Sequence, residues 1–264
     1  MTDRALDDYL DLEPLQTRID THRKFSERPD DVEASLLGCI TPQPGDALLD
    51  IGSGTGDFLR NLRTSGHTGR LVALDSSPAA VAATGNSSIE AHLGDACDLP
   101  FTDDTFDVVT ARHMLYHVRD LALAVLEAQR VLRPTGTFVA VVNNSNSSLR
   151  LKEAVGAAAE ACGIEVPPHV GERANSANVP DVVAATFGQA AVTRFDNALL
   201  FDRPDPLLRH LASVLAFFGV HGDNDRSAVM EVISVTVNDW FESAQGPWRD
   251  EKGYIVCTAR KARP

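Results

Sequence analysis

The stretch LLDIGSGTGDF, residues 48–58, decides the fold. Its apolar start predicts a buried strand over residues 47–51, and its last residues begin a predicted helix over residues 58–62. The three glycines between them allow a tight turn and let the backbone approach a ligand closely. A turn that binds no ligand is the structural alternative.

The glycine spacing is G-x-G-x-G, whereas the dinucleotide fingerprint G-x-G-x-x-G needs a glycine at the position of Asp57. Asp57 also places a carboxylate at the helix N-terminus, where it would repel a pyrophosphate. The pattern therefore favours a ligand that carries no phosphate.

Asp75 ends the next predicted strand, residues 70–75, about twenty residues beyond the glycines. A carboxylate at this position can accept hydrogen bonds from both hydroxyls of an unphosphorylated ribose. The alternative role for Asp75 is to cap the helix that is entered through Ser76-Ser77-Pro78.

The rest of the chain continues the alternation of strands and helices. It predicts a doubly wound, Rossmann-like α/β fold with a mostly parallel sheet of about seven strands, a helical N-terminal arm and a cap over the carboxyl edge. Further strands are predicted at residues 89–93, 107–111, 137–142, 191–201 and 253–258. Helices are predicted at residues 32–40, 77–83, 121–132, 151–161, 206–218 and 228–241, with an irregular excursion at residues 163–180.

The length of 264 residues fits one large domain with a small appendage. We expect an arm or lid over residues 1–30 and a single domain over residues 31–264. Within that domain, residues 31–144 form the cofactor-binding half, and residues 145–264 supply substrate-facing insertions and complete the sheet. The carboxyl ends of the parallel strands should carry the ligand site.

Composition excludes several classes of protein. The net charge of −13, without a Lys/Arg cluster, argues against a nucleic-acid partner. No apolar run approaches the roughly 20 residues of a membrane span, and the N-terminus lacks the pattern of a secretory signal, so we expect a cytoplasmic protein without a membrane partner. The four scattered cysteines indicate reduced thiols, and no metal is predicted. The sequence does not indicate the oligomeric state.

Five segments together resemble successive motifs of class I S-adenosylmethionine-dependent methyltransferases that act on small molecules. They are LLDIGSGTGDF, VALDSSPAAV, HLGDACDLPF, DDTFDVVTARHMLYHV and RVLRPTGTFVAVV, in order between residues 48 and 142. The resemblance implies S-adenosyl-L-methionine as cofactor. It departs from the family at Pro134-Thr135-Gly136, where two glycines are usual. No Asn/Asp-Pro-Pro-Tyr motif follows the fourth strand, which favours a small-molecule acceptor over DNA or glutamine side chains.

The resemblance also implies roles for individual residues. Gly52 and Gly54 would contact the amino acid part of the cofactor through their backbone, and Asp75 would bind the ribose. The other implied contacts are Ser76 beside the adenosine, Asp95 and Ala96 at the adenine, and Arg112 near the methionine portion. The structural alternatives are that Asp95 is a solvated acid in a turn and that Arg112 is a surface residue.

Methyl transfer from a sulfonium is an in-line displacement, so alignment and desolvation can supply most of the catalysis. A hydroxyl or protonated amine acceptor also needs a base. His117 is the first candidate for that base and His113 the second. On one helical turn both would share a face with Tyr116, although such histidines are often structural.

The acceptor pocket is predicted from the N-terminal arm, residues 145–180 and the later helices. Trp240, Phe217, Phe218 and His169 are candidate lining residues, with a place in the core as the alternative for each. In the arm, Phe25 of Arg23-Lys24-Phe25-Ser26 could fold over the cofactor, because an aromatic ring attracts a sulfonium. A disordered arm is the alternative.

The sequence predicts a methyltransferase that acts on an O or N atom of a small molecule, in specialised-metabolite biosynthesis. Two alternatives stay open: a protein of the same fold that uses the cofactor structurally or for a non-methylating reaction, and an NAD-dependent oxidoreductase. The glycine spacing disfavours the oxidoreductase.

Overall fold

The computed structural model describes residues 12–85, 88–243 and 246–263. Seven strands form one sheet in the order β3-β2-β1-β4-β5-β7-β6. Their bounds are β1 Leu48–Ile51, β2 Leu71–Asp75, β3 Glu90–Leu93, β4 Phe106–Arg112, β5 Leu132–Asn143, β6 Ala191–Phe201 and β7 Trp248–Arg260. The pairings among β1 to β5 are parallel, and β7 pairs antiparallel with β5. The predicted Rossmann-like α/β fold with a mostly parallel sheet is confirmed.

Helices connect these strands. Their bounds are α1 Leu12–Phe25, α2 Val32–Cys39, α3 Asp57–Thr64, α4 Pro78–Thr84, α5 Leu121–Val131, α6 Leu149–Ala161, α7 Val179–Phe187, α8 Pro204–Val214 and α9 Asp223–Ser243. Side-chain caps fix three of the starts. Asp31, Ser77 and Asp120 accept a backbone N–H from the first turn of α2, α4 and α5, which satisfies donors that the helix itself leaves unpaired.

The register of the central strands brings three chain segments to one edge of the sheet. Ile51 of β1 is level with Leu74 of β2 and with Ala111 of β4. The residues that follow these three positions therefore leave the sheet side by side. Strand order reverses between β1 and β4, and open α/β sheets bind their ligands at such a switch point.

The strand β1 is apolar on both faces because helices cover both sides of the parallel sheet. Leu49 and Ile51 pack into one core cluster, whereas Leu48 packs into another with Phe58 and Leu59 of α3. Each fully buried side chain of this size contributes about 1.5–3 kcal/mol to folding. This packing fixes the turn between β1 and α3.

The chain divides into two compact units. The sheet unit comprises residues 31–145, 173–195 and 254–264, and the helical unit comprises residues 1–30, 146–172 and 196–253. Strands β6 and β7 run from one unit into the other. In the helical unit, α6, α8 and α9 pack around a separate apolar cluster centred on Phe201, Leu211 and Ile233.

Several elements differ from the prediction. Helix α7 follows the excursion at residues 163–180 and was not predicted, because its first turn holds Pro180, which resembles a breaker although proline is well tolerated there. Strand β5 begins at Leu132, five positions before the predicted Thr137, and its pairing with β4 contains a register irregularity. Strand β7 begins at Trp248, ahead of the predicted Gly253, since its charged first half lacks an apolar run. Residues 1–11 of the predicted arm lie outside the described residues.

Candidate functional site

The glycine turn lies between β1 and α3 at the carboxyl edge of the sheet unit. Gly52 and Gly54 have φ angles of 65° and 55°, in the left-handed region that other residues rarely adopt. A Cβ on Gly52 would lie 2.6 Å from Cβ of Met114, so this glycine is required by packing. A Cβ on Gly54 would point into open space, with no atom within 4 Å. The turn therefore leaves room for a ligand at Gly54.

The Asp75 carboxylate is held across this turn. One of its oxygens accepts the backbone N–H of Gly54 at 2.9 Å, and the other accepts the N–H of Ser77 at 2.9 Å. The helix cap of α4 is Ser77, so Asp75 is not the cap that its alternative interpretation assumed. Each carboxylate oxygen can accept a further bond, and the half-buried side chain remains accessible. Ser76 is exposed at the same turn.

Asp95 and Ala96 follow β3, the neighbour of β2. Asp95 accepts the backbone N–H of Cys97 at 2.8 Å and a bond from Arg119 Nε at 3.2 Å. The Cys97 hydrogen bond, together with Arg119, lowers the pKa of Asp95, which is thus an ionised acceptor at neutral pH. Its side chain is 52% exposed, whereas Ala96 is buried.

Arg112 ends β4 and forms a buried ion pair with Asp50 of β1. Its Nε and Nη2 lie 3.2 Å and 2.8 Å from the two Asp50 oxygens, and Thr110 Oγ1 donates to Asp50 at 2.6 Å. The Arg112 guanidinium lies 4.2 Å from the ring centre of Phe58. Burial opposes the charge of Arg112, but Asp50 outweighs it and raises the arginine pKa. The side chain of Arg112 therefore links β4 to β1 through a buried ion pair and is not a surface group.

These residues fit a ligand with a ribose and a cationic end better than one with phosphates. Gly54 leaves a cradle that a Cβ would fill, and Asp75 and Asp95 offer carboxylate oxygens on adjacent strand ends. Asp57 keeps its negative charge at the N-terminus of α3, because hydrogen bonds from Thr55 and Arg60 lower its pKa. A phosphate at that position would meet an anion.

Comparison with known proteins agrees with this geometry. A family model described as a methyltransferase domain matches residues 49–140, the segment from β1 through most of β5. Residues 49–140 therefore form a methyltransferase domain of the class I S-adenosylmethionine-dependent type. The match contains the glycine turn, Asp75, Asp95 and Arg112, so each predicted cofactor residue lies inside the shared segment.

Curated relatives match a little over a third of the chain. It is similar to the 2-phytyl-1,4-naphtoquinone methyltransferase of Synechocystis, with 39% identity over 109 residues, 38% of this chain and 45% of the relative. It is also similar to the demethylmenaquinone methyltransferase of Mycobacterium marinum, with 41% identity over 96 residues, 36% of this chain and 41% of the relative. The chain thus matches less than half the length of these relatives.

A solved structure from Anabaena variabilis, described as a candidate methyltransferase from an antibiotic biosynthesis pathway, shares the fold. Its TM-score is 0.65 with 17% identity, over 92% of this chain and 99% of that chain. At this identity the likeness is one of fold. It includes far more of the chain than the family model, whose match ends before the later helices begin.

The histidine segment, residues 113–117, differs from the single helical turn that the sequence predicts. Only Leu115–His117 form a turn of 3₁₀-helix, and His113 precedes it with a φ of 49°. The His113 ring meets Tyr254 edge-on at 6.0 Å, while His117 lies 4.5 Å from the ring of Tyr116. The predicted face shared by all three rings is therefore wrong for His113, because its left-handed backbone turns the chain.

His117 is the half-buried imidazole of this segment. Burial, with a further contribution from the charge of Arg173, lowers its pKa, and Asp75 opposes the shift only partly. His117 is thus neutral at pH 7 and able to accept a proton. Its interaction with Asp75 places it near the glycine turn.

The helical unit contains the residues predicted to line an acceptor pocket. Phe218 is buried, and Phe217 and Trp240 pack against the same apolar cluster. The ring centres of Trp240 and Trp248 lie 5.2 Å apart. The ring centres of His169 and Phe218 lie 5.6 Å apart. In their own unit these side chains take part in core packing, which was the alternative for each.

Phe25, which the sequence predicts as a lid residue, also packs within the helical unit. It stacks on Phe201 at 5.1 Å, at the end of α1. This contact gives Phe25 a structural role in its own unit. Its predicted contact with a sulfonium stays a prediction.

Sequence reasoning missed two residues of the site. The apolar pattern of residues 47–51 predicts a strand and assigns no role to Asp50, although a charged residue inside a buried strand indicates an internal partner. Arg173 lies in the excursion at residues 163–180, where no motif or periodicity marks it, and only the structure brings it near His117.

A groove of about 790 Å³ opens elsewhere in the sheet unit. It lies at the amino ends of β4 and β5, the edge opposite the glycine turn, and Asp46, Asp107 and Arg260 are among its lining residues. None of the predicted site residues lines it. No helix within the described ranges is long and apolar enough to cross a membrane.

Proposed function

We propose that this protein transfers a methyl group from S-adenosyl-L-methionine to an O or N atom of a small molecule. The observation that carries the proposal is the Gly54 cradle, with the Asp75 carboxylate bonded to its N–H at 2.9 Å at the switch point of the sheet. The family, whose relatives are named for quinone-type small molecules, supports the same activity. A role in specialised metabolism stays a prediction.

The residues of the sheet unit would hold the cofactor by its different parts. Gly52 and Gly54 would contact its amino acid portion, and Asp75 its ribose hydroxyls, with Ser76 beside the adenosine. Asp95 would accept the adenine amino group, with Ala96 at the ring. Arg112 would act through the ion pair with Asp50, which fixes the ends of β1 and β4 under the ligand.

When bound, the cofactor supplies a methyl group on a sulfonium. The protein's own contribution is to exclude water, to align the acceptor and to remove its proton. His117 has the properties of the base: it is half-buried, neutral at pH 7 and near Asp75. His113 remains the second candidate, and its edge contact with Tyr254 gives it less freedom to reach an acceptor.

Thermal stability in the presence of S-adenosylmethionine, S-adenosylhomocysteine and NAD tests the cofactor. A ligand at 100 times its Kd stabilises the folded protein by about 2.7 kcal/mol. We expect stabilisation by both adenosyl ligands and not by NAD, and a smaller shift for Asp75→Ala. Stabilisation by NAD alone, or by none of the three, would refute the proposal.

Transfer of a labelled methyl group to a panel of small acceptors tests the reaction. With an accepted substrate, His117→Asn should lower kcat by about 100-fold or more while the Kd of S-adenosylhomocysteine stays unchanged. His221→Asn, at an exposed histidine of the helical unit, is the matched control. Activity that persists when S-adenosylhomocysteine replaces S-adenosylmethionine would support a non-methylating reaction instead.

A further inference from the structure

The segment Arg173–Asn178, here called the 173–178 loop, is fixed at the carboxyl end of β5. The backbone N–H of Ser176 donates to the carbonyl of Asn143 at 3.0 Å, and the N–H of Ser145 donates to Ser176 Oγ at 2.9 Å. Ala174 is 1% exposed and packs into the core cluster of the sheet. Because β5 neighbours β4, these contacts place the loop at the edge of the sheet where β4 ends and the His117 segment begins.

Arg173 begins this loop with an exposed side chain. Within the described part of the chain, its guanidinium makes no hydrogen bond and no ion pair. The other arginines at this edge differ, since Arg112 is paired with Asp50 and Arg119 with Asp95. The guanidinium N–H groups of Arg173 are therefore available to bind another group. The positive charge of Arg173 also acts on His117.

We propose that Arg173 determines acceptor specificity by binding an anionic oxygen, and that the acceptor is an acidic hydroxyl compound, a phenol or an enol. The inference rests on the proposed methyl transfer and narrows its acceptor atom from O or N to O. A planar guanidinium donates charge-assisted hydrogen bonds to an oxyanion, whereas it repels an ammonium group.

The step balances without a further reactant. The hydroxyl proton passes to the imidazole of His117, and the oxygen lone pair forms the new O–C bond as the electron pair of the donor C–S bond returns to sulfur. Arg173 stabilises the oxygen while it carries negative charge. Asp75 opposes an anion nearby, but two backbone N–H groups already hold its carboxylate.

The test measures binding of two probes to the protein saturated with S-adenosylhomocysteine. The probes are 4-nitrophenol, at a pH where it is ionised, and the neutral 4-nitroaniline. We expect the wild type to prefer the phenolate. Arg173→Met should weaken phenolate binding about tenfold, the equivalent of one charge-assisted hydrogen bond, and leave the aniline and S-adenosylhomocysteine affinities unchanged.

Two further variants sharpen the result. Arg173→Lys retains the charge and should recover part of the phenolate affinity. Arg260→Met removes the same charge from an exposed position at the opposite edge of the sheet and should leave phenolate binding unchanged. Equal losses in Arg173→Met and Arg260→Met would reduce the effect to net charge and overturn the inference.

The outcomes separate this inference from the proposed function. If the wild type binds S-adenosylhomocysteine but shows no preference for the phenolate, or binds no phenolate, the role of Arg173 is refuted and methyl transfer stands. If the wild type fails to bind S-adenosylhomocysteine, the proposed function falls, and the inference with it. Unchanged phenolate affinity in Arg173→Met would also refute the inference.

Discussion

Two buried carboxylates, one in each unit, have opposite surroundings. Asp50 of the sheet unit is fully buried and accepts hydrogen bonds from Arg112 and Thr110. Asp250 of the helical unit is 2% exposed, and both of its oxygens lack a hydrogen-bond partner within the described residues. Burial raises the pKa of Asp250 to about 6, and nearby backbone N–H groups of Leu151 and Arg150 counteract it only partly.

The difference shows how each unit tolerates a buried acid. Taking a carboxylate out of water is costly unless a partner compensates its charge or a proton removes it. Asp50 has a partner, because its carboxylate pairs with Arg112 and links β1 to β4. Asp250 has no hydrogen-bond partner within the described residues, so burial keeps it neutral over a wider pH range. The same residue type thus forms a buried ion pair in one unit and has a raised pKa in the other.

The largest effect should come from removing the partner of Asp50. Arg112→Met leaves the Asp50 charge buried and uncompensated, and we expect a loss of about 3–5 kcal/mol in the free energy of unfolding. Urea denaturation at pH 7 measures it. The double variant Asp50→Asn/Arg112→Met should recover part of the loss, because the buried charge is gone. A loss below about 1 kcal/mol for Arg112→Met would mean that water already compensates Asp50.

The second prediction concerns Asp250, whose substitution should stabilise the protein where Arg112→Met destabilises it. Its folded-state pKa is raised from 3.8 to about 6, so the stabilisation it provides is present below about pH 4 and is lost as the pH rises through 6. Asp250→Asn keeps the shape without the charge. It should therefore stabilise the protein by about 2–3 kcal/mol at pH 8 and have little effect at pH 4.

Urea denaturation of both proteins between pH 4 and pH 8 measures this difference. Glu251→Gln is the matched control, since it removes a neighbouring acid that is exposed. A stability difference between Asp250→Asn and the wild type that does not change with pH would contradict a raised pKa for Asp250.

The two units also differed in how far the sequence could predict them. The strands, the glycine turn and Asp75 of the sheet unit follow from local patterns, because parallel strands are continuous apolar runs and the turn needs left-handed residues. The contacts of Arg112 were not predictable, since the partner Asp50 is 62 positions away along the chain. Only the pairing of β1 with β4 brings them together.

The helical unit has no comparable motif. Its helices were predicted from apolar periodicity, but the placement of Trp240 and Phe218 in the core and the isolation of Asp250 depend on how segments distant in sequence pack. The predicted roles of His117 and His113 depend on an acceptor that no local pattern identifies. Local motifs at one edge of the sheet predict the cofactor residues, whereas the acceptor residues depend on long-range packing.

The smallest effect should come from His210, the buried histidine of the helical unit. It is 4% exposed, its Nδ1 has no partner within the described residues, and its ring stacks on Phe201 and meets His22 edge-on. Burial lowers its pKa from 6.5 to about 3. The stability that neutral His210 provides is therefore present above pH 6.5 and is lost as the pH falls towards 3, the reverse of Asp250.

His210→Phe keeps an aromatic ring against Phe201 and removes the group that must be charged on unfolding. Between pH 7.5 and pH 5 the free energy of unfolding should fall in both proteins. The fall should be about 2 kcal/mol smaller in the variant than in the wild type. Urea denaturation at the two pH values measures this, and His221→Phe, at an exposed histidine, is the control. Equal losses in wild type and His210→Phe would show that the imidazole is charged in the folded protein, which the apolar contacts of its ring oppose.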